Sequence, residues 1–209
     1  MGAGAMLHSS YENEFVSIPA DIPSRPRRVT RKPKVTGTLN AIVDAAGSGD
    51  YAELNDKGEY KVKFALDPSD AGKAKASRYL RMAQPYLGAG YGMHFPLHAG
   101  TEVAVAHTNG DPDRPYIQAA VPNANSGSPV TGENQSQCVL KSGGNNEIRF
   151  EDQSGGEQVY LHATKDWVTE VENDKTESVG HDNSETVGND ETISVKNNRT
   201  KTVDVDQSE

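Results

Sequence analysis

The strongest pattern in the chain lies in its last forty-odd residues. Val171, Val179, Val187, Val195 and Val203 recur at every eighth position, and nearly everything between them is polar. The intervening columns repeat as well. Asp174, Asp182, Asp190, Asn198 and Asp206 stand three after each valine, and Thr176, Ser184, Thr192, Thr200 and Ser208 five after. Self-similarity at a short fixed period marks a repeat architecture. Eight is a poor helical period, and Val, Thr, Asn, Asp and Gly are weak helix formers. It suits one short strand plus one corner. The β-branched segments 176–179, 184–187 and 192–195 are the predicted strands. The segments Gly180-His-Asp-Asn183 and Gly188-Asn-Asp-Glu191 carry turn chemistry. The expected corner residues are therefore Asp174, Gly180, Asp182, Gly188, Asp190 and Asn198. Lys196 and Asp204 replace the glycine in the last two repeats, whose geometry stays open.

Burial decides how such repeats fold. One valine per repeat supplies roughly 1.5–3 kcal/mol when fully buried. Ordering the backbone costs about 1–2 kcal/mol for each residue. One chain coiled on itself does not close that gap, whereas several chains around one axis multiply each valine layer. The pattern predicts a homo-oligomeric β-prism, with a trimer as the simplest closed ring. Its axis core is expected to be Val171, Val179, Val187, Ile193, Val195 and Val203. Period-two alternation puts Glu177, Glu185, Ile193 and Lys201 on the valine side, and Ile193 is the member that can be buried dry. The competing reading is a disordered acidic tail, which has no need of a valine register.

Upstream the pattern is all strands. Segments 36–43, 51–54, 60–66, 79–84, 101–108 and 115–121 are apolar or alternating, and Asn55-Asp-Lys-Gly58 reads as a hairpin turn between the second and third. Tyr60, Val62, Phe64 and Leu66 alternate with Lys61, Lys63 and Ala65, so one face is buried. Strands of this number and spacing match a Greek-key barrel of the OB type. Residues 8–35 show no period, and their prolines exclude a regular helix. Residues 123–137 are rich in Asn, Ser, Gly and Pro, and two short strands at 146–152 and 158–163 lead into the repeats. The expected organisation is an expression scar (Met1–Met6) and arm over 1–35, a barrel over 36–122, a linker over 123–145 and the prism over 146–209. The abrupt start and end read as those of a piece of something longer.

Composition sharpens this. Only 34% of the 209 residues are hydrophobic and the mean hydropathy is −0.72, which is meagre for a monomeric core. The net charge is −9. Residues 163–209 hold 12 acidic and 5 basic side chains, or −7 of that total. Such a tail repels nucleic acid and anionic membranes. Arg25, Arg27, Arg28, Arg31, Lys32 and Lys34 form a basic run without interleaved aromatics, which favours a solvated or partner-facing linker over a nucleic-acid arm. Cys138 is the single cysteine, so no intrachain disulfide forms. No apolar run is long enough for a signal peptide or a membrane span.

Several strings carry a resemblance. Phe95-Pro-Leu-His-Ala-Gly-Thr-Glu-Val103, Asn109-Gly-Asp-Pro-Asp-Arg-Pro115, Asn146-Glu-Ile-Arg-Phe-Glu-Asp152, Tyr160-Leu-His-Ala163 and Val171-Glu-Asn-Asp174 closely resemble VgrG, the spike of bacterial type VI secretion. They are equally similar to the cell-puncturing spikes of contractile phage baseplates. The resemblance implies an all-β protein: an OB barrel followed by a trimeric, intertwined, triple-stranded β-helix. It implies a homotrimer, joined through a preceding hub to a tube protein, with a PAAR-type tip protein at the C-terminal end and effectors as cargo. It also implies residence in the bacterial cytoplasm before firing, then injection without a signal peptide and transient contact with a target membrane.

Candidate chemistry is sparse. No Gly-x-Ser-x-Gly, His-Glu-x-x-His or phosphate loop occurs, so no catalytic, cofactor-binding or metal residue is assigned and no enzyme is expected. His94 and His98 have zinc-like spacing but flank Pro96 beside Gly92. Asp111 and Asp113 fit turn formation better than calcium binding. His181 would hold an ion only if three copies pointed it at the axis, and Trp167 is expected to cap the start of the prism. Competing functions are an OB-fold nucleic-acid binder, which needs a basic face with exposed aromatics, and a carrier of an enzymatic domain beyond Glu209.

Overall fold

The computed structural model describes residues 10–23 and 25–205. The expectations for Met1–Met6, Asp206 and Ser208 fall outside them. The chain divides into two compact units, the first running to Gln135 and the second starting at Ser136.

Five strands build the first unit: β1 (Thr38–Asp44), β2 (Lys61–Phe64), β3 (Arg81–Met82), β6 (Glu102–His107) and β7 (Pro115–Ala120). A small hairpin of β4 (Leu87–Gly88) and β5 (Tyr91–Gly92) lies between β3 and β6. The sheet order is β2-β1-β6-β7-β3. Tyr60 and Leu80 exchange backbone hydrogen bonds of 2.9 and 2.7 Å, which ties β2 to β3 and closes the barrel. All pairs are antiparallel except β3 with β7, and that single parallel seam completes the Greek-key closure of an OB barrel. A bulge in the β6–β7 ladder skips Gln118, adding the bend that closure requires.

Alternation explains the core. Ala41 and Val43 point inward from β1, Val62 from β2, Val103 and Val105 from β6 and Ile117 from β7, all at 2% exposure or less. Tyr60 and Leu80 cap them. Two expectations need correction. Leu66 was placed on the buried face but is exposed, because β2 stops at Phe64, where the Asp67 N–H closes a turn on the Phe64 carbonyl at 3.0 Å. Segment 51–54 is not a strand paired with 60–66. The turn at Asn55 does form, its side chain accepting from the Lys57 and Glu59 N–H groups at 3.0 Å. The preceding residues pair elsewhere: Ala52 N–H donates to Leu97 and Ala99 N–H to Asp50.

Among the described residues the arm meets the barrel at the loop 110–113, through Val35 and Lys32. Val35 N–H donates to the Gly110 carbonyl at 2.9 Å. Gly110 has φ 70°, and a Cβ there would lie 2.9 Å from the Val35 carbonyl oxygen, so glycine serves both the turn and the close approach.

The second unit starts with a three-stranded meander, β8 (Gln137–Lys141), β9 (Glu147–Glu151) and β10 (Gln158–His162), in the order β10-β9-β8. Residues 137–141 were expected in the linker and instead form β8. The turn residues between β8 and β9 anchor the exit from β10: Thr164 N–H donates to Asn146 Oδ1 at 2.9 Å and its hydroxyl to the Gly144 carbonyl at 2.6 Å.

The Tyr60 hydroxyl accepts from the buried Leu97 N–H at 3.1 Å and meets His94 Nε2 at 3.3 Å. Tyr60→Phe strands that amide. It should destabilise the barrel by about 1–3 kcal/mol while leaving the assembled mass unchanged. Thermal melting with sedimentation checks it, and parent-like melting would contradict this account of the closure.

Candidate assembly surface

Register sorts the side chains of the meander into two faces. Cys138, Phe150 and Val159 stand opposite one another across β8, β9 and β10, as do Leu140, Ile148 and Leu161. These six residues form a wholly apolar face. Among the described residues of the chain nothing covers it, and every one of the six is exposed or half-buried. The opposite face is mostly polar and pairs largely within itself, with Arg149 Nε buried and unpaired. Arg149 bonds Glu147 at 2.9 Å and lies over the Tyr160 ring at 4.6 Å, and Lys141 reaches the same Glu147 at 3.4 Å. A monomeric sheet would put water on its polar side and protein on its apolar side. Here both sides of the single chain meet water.

The apolar face continues along the chain. Trp167 and Val168 share a cleft of about 400 Å³ with Leu140 and Ile148. Trp167 thus stands where the repeats begin, its indole N–H donating to the Thr169 hydroxyl at 2.7 Å.

Beyond it the octads carry no strand ladder. No backbone–backbone hydrogen bond joins any of the described residues 165–205 to the rest of the chain. The predicted strands 176–179, 184–187 and 192–195 are therefore not hydrogen-bonded strands within one chain, because no second segment of the same chain lies beside them. The period itself is present in the backbone. Bends fall at 172–173, 180–181, 188–189, 196–197 and 204–205, each directly after a repeat valine. Gly180 and Gly188 lie on these bends, and Asp174, Asp182, Asp190 and Asn198 each follow one. Lys196 and Asp204 bend the chain as the glycines do. Neither Gly180 nor Gly188 has positive φ, and a Cβ at either would meet nothing within 4 Å, so this chain does not itself require glycine there.

The valines share one environment. Val171, Val179, Val187, Val195 and Val203 are 46–49% exposed, whereas the off-register Val168 and Val205 are 87% and 92% exposed. Ile193 is close to the column at 53%. The chain shields one side of each repeat valine and presents the other.

The remaining candidates engage local partners. Both ring nitrogens of His94 are occupied, by Tyr60 and Gln84, and His98 packs edge-on to Tyr51 at 4.5 Å between centroids. Asp111 accepts the Asp113 N–H at 2.9 Å and also bonds Lys32, which reaches Asp113 at 2.7 Å. His181 pairs with Asp182 at 3.0 Å in open solvent. Among the described residues no group of three or more His, Cys, Asp or Glu is placed to hold a metal ion.

Comparison with known proteins supplies the family. Residues 52–121 match the type VI secretion system/phage-baseplate injector OB domain. Residues 133–209 match the bacteriophage T4 gp5 C-terminal trimerisation domain, a span that takes in both the apolar sheet and the octads. The chain belongs to the VgrG family. It is 36% identical over 184 residues to the type VI secretion system spike protein VgrG3 of Vibrio cholerae, covering 85% of this chain and 18% of that protein. It is 34% identical to the spike protein VgrG4b of Pseudomonas aeruginosa, covering 83% of this chain and 22% of that one. It is 35% identical to the actin cross-linking toxin VgrG1 of V. cholerae, covering 83% and 16%. The chain thus spans about a fifth of the length of the VgrG proteins it matches. The octads lie inside the match to a trimerisation domain, and the apolar face of β8–β10 lies inside that same match. Sequence reasoning missed this face. Its signal was the alternation of Cys138 with Leu140, Ile148 with Phe150 and Val159 with Leu161.

Lys32 holds the Asp111 carboxyl below its ordinary range, helped by the Asp113 N–H. Lys32 is raised in turn, first by its hydrogen bond to Asp111. The depressed carboxyl favours the docked arm above the free carboxylate pKa of about 3.9, and the contact is lost as pH falls through the lower folded value. The Asp111 carboxyl carbon followed by NMR should titrate below the free value in the parent and move upward in Lys32→Ala. Coincident titrations would remove Lys32 from the site.

Proposed function

We propose that this chain is the neck and upper stalk of a secreted, membrane-piercing spike whose stalk exists only as three intertwined copies. The observation that carries this is the uniform half-exposure of the valine column, inside a match to a trimerisation domain. Val171, Val179, Val187, Val195 and Val203 stack as layers at a three-fold axis, with Ile193 filling the layer between Val187 and Val195. The unpaired octad backbone completes its hydrogen bonds with the neighbouring copies. Asp174, Gly180, Asp182, Gly188, Asp190 and Asn198 line the corners. The apolar faces of the three β8–β10 sheets close on one another above the first valine layer, with Trp167 at the junction.

Such a stalk suits piercing. It has no separate core to lose, and its acidic, solvated exterior does not adhere to anionic lipid. Type VI secretion of VgrG relatives supports delivery by that apparatus, with the chain held in the bacterial cytoplasm until the sheath contracts. A PAAR-type protein at the far end, a tube protein reached through a preceding hub and effector cargo complete the proposed partners. The role is mechanical, not catalytic. One relative, the actin cross-linking toxin VgrG1, favours a second reading in which the full-length protein also bears an enzymatic domain. A nucleic-acid role for the barrel fits poorly, because Tyr86, Tyr91 and Phe95 lie in a run from Met82 to Thr101 without a charged residue.

Sedimentation equilibrium at micromolar concentration should return the trimer mass, and a monomer would end this reading. Val187→Asp puts three like charges around one axis and should abolish assembly. Val187→Ala leaves a cavity counted three times and should trimerise but melt lower. Lys175 bonds Glu177 at 3.1 Å in solvent, so Lys175→Ala should change stability by less than about 0.5 kcal/mol. If Val187→Asp melts like Lys175→Ala, the valine column does not face the axis.

A further inference from the structure

The OB barrel carries an apolar patch that its own fold does not use. Tyr86, Leu87, Tyr91, Met93 and Phe95 are 60%, 67%, 58%, 41% and 49% exposed, and all belong to the β4–β5 hairpin or its immediate exit. The patch is built, not loose. The Met93 N–H donates to the Tyr86 carbonyl at 2.9 Å and the Tyr86 and Tyr91 rings lie 5.4 Å apart. The Tyr91 ring lies directly on Gly88, where a side chain has no room, and a Cβ on Gly92 would be 2.7 Å from the Tyr86 carbonyl oxygen. Two glycines thus make room for the close approach of this exposed aromatic pair. No charged residue occurs from Met82 to Thr101, in a chain that is 24% charged. Exposed, preorganised tyrosines with methionine and no charge are the composition of an interface centre.

We propose that this hairpin is a contact between barrels, docking on the neighbouring copy of the chain within the trimer. The inference rests on the trimeric reading above and specifies where the first unit takes part in it. The occupant follows from connectivity. The segment between Ala120 and Gln137 tethers each barrel to the trimerisation domain. That segment is folded into turns, such as the Asn123–Ser126 pair at 2.9 Å, and even fully extended a stretch of its length spans at most about 55 Å. Three barrels so tethered face one another at effective concentrations in the millimolar range. One hairpin buries far less than the roughly 1,200 Å² of a stable free-standing interface. It therefore needs the tether, and the contact forms in the trimer without making an isolated barrel oligomerise. Around a three-fold axis it is heterologous, the hairpin of each copy meeting a different surface of the next.

The test is hydroxyl-radical footprinting of the whole chain, with the mass of the same sample measured by sedimentation. Tyr79 is only 39% exposed, over Lys61 at 4.8 Å, so single-chain exposure ranks Tyr86 and Tyr91 as the more reactive. The proposal inverts that order: Tyr86 and Tyr91 react several-fold more slowly than Tyr79. Leu87→Asp, a change at an exposed position, restores their reactivity without changing the trimer mass. A trimer in which Tyr86 and Tyr91 outpace Tyr79 overturns the barrel contact and leaves the stalk intact. A monomer overturns the trimeric reading and this contact with it. Slow tyrosines that stay slow in Leu87→Asp also overturn it, since the hairpin tip would then not be what covers them. Protection that appears only with phosphatidylcholine–phosphatidylglycerol vesicles makes the patch a lipid contact and overturns the proposal.

Discussion

The second unit depends on the backbone more than on its side chains. Among the described residues 165–205 no main-chain group bonds another within the chain, yet buried amides and carbonyls are almost always paired. A polypeptide that bends every eight residues and never returns beside itself has two options. It stays solvated, or it takes partners from other chains. Its regularity argues for the second. Bends at a constant phase and valines of constant exposure describe a surface that repeats along its length, and a repeating surface is met by an identical one. The apolar face of β8–β10 poses the same problem in side chains, and it lies within the same trimerisation match.

The first unit obeys the opposite rule. Its sheet closes on itself through the Tyr60–Leu80 bridge and the parallel β3–β7 seam, so no edge remains to recruit a neighbour. Its core is small but complete, with eight side chains at 2% exposure or less. The two units divide the labour. The barrel keeps its shape in one copy, and in the proposed trimer the octads acquire theirs on assembly. Gly110 and the Asp111–Asp113 pair fix where the arm reaches the barrel, so the chain entering from the N-terminal side has a set direction.

What was legible in the sequence follows from this division. The octad period, the barrel class and the alternation of Tyr60 and Val62 were all local patterns, and local patterns survive in one chain. Errors arose where a non-local choice decided the outcome. Residues 50–52 bond the segment 97–99 instead of the adjacent run, so a plausible hairpin did not form. Strand β8 was hidden in polar surroundings, and only its pairing with β9 makes Cys138 and Leu140 part of an apolar face. Leu66 obeyed the alternation but lay past the end of its strand. The corners are a different case. Bends fall on Gly180 and Gly188, and the last two repeats, left open by the missing glycine, bend at the same phase through Lys196 and Asp204 without positive φ.

That last point bears on how the stalk resists load. If every corner depended on glycine, loss of the glycine after Gly188 would mark a weak place in the last repeats. The bends persist through Lys196 and Asp204, so shape is carried by the eight-residue phase and not by a special residue. Charge along the valine side fits the same design. Glu177 directs its carboxylate to Lys175 at 3.1 Å in solvent, so the proposed axis would be spared an unpaired ion that costs several kcal/mol if buried. In the proposed trimer each valine layer adds one modest contribution. Cohesion spread over many equivalent layers and inter-chain hydrogen bonds makes opening at any one point costly at its neighbours too. In the proposed trimer the octad backbone, which makes no main-chain hydrogen bond within its own chain over the described residues 165–205, spends that capacity on its neighbours.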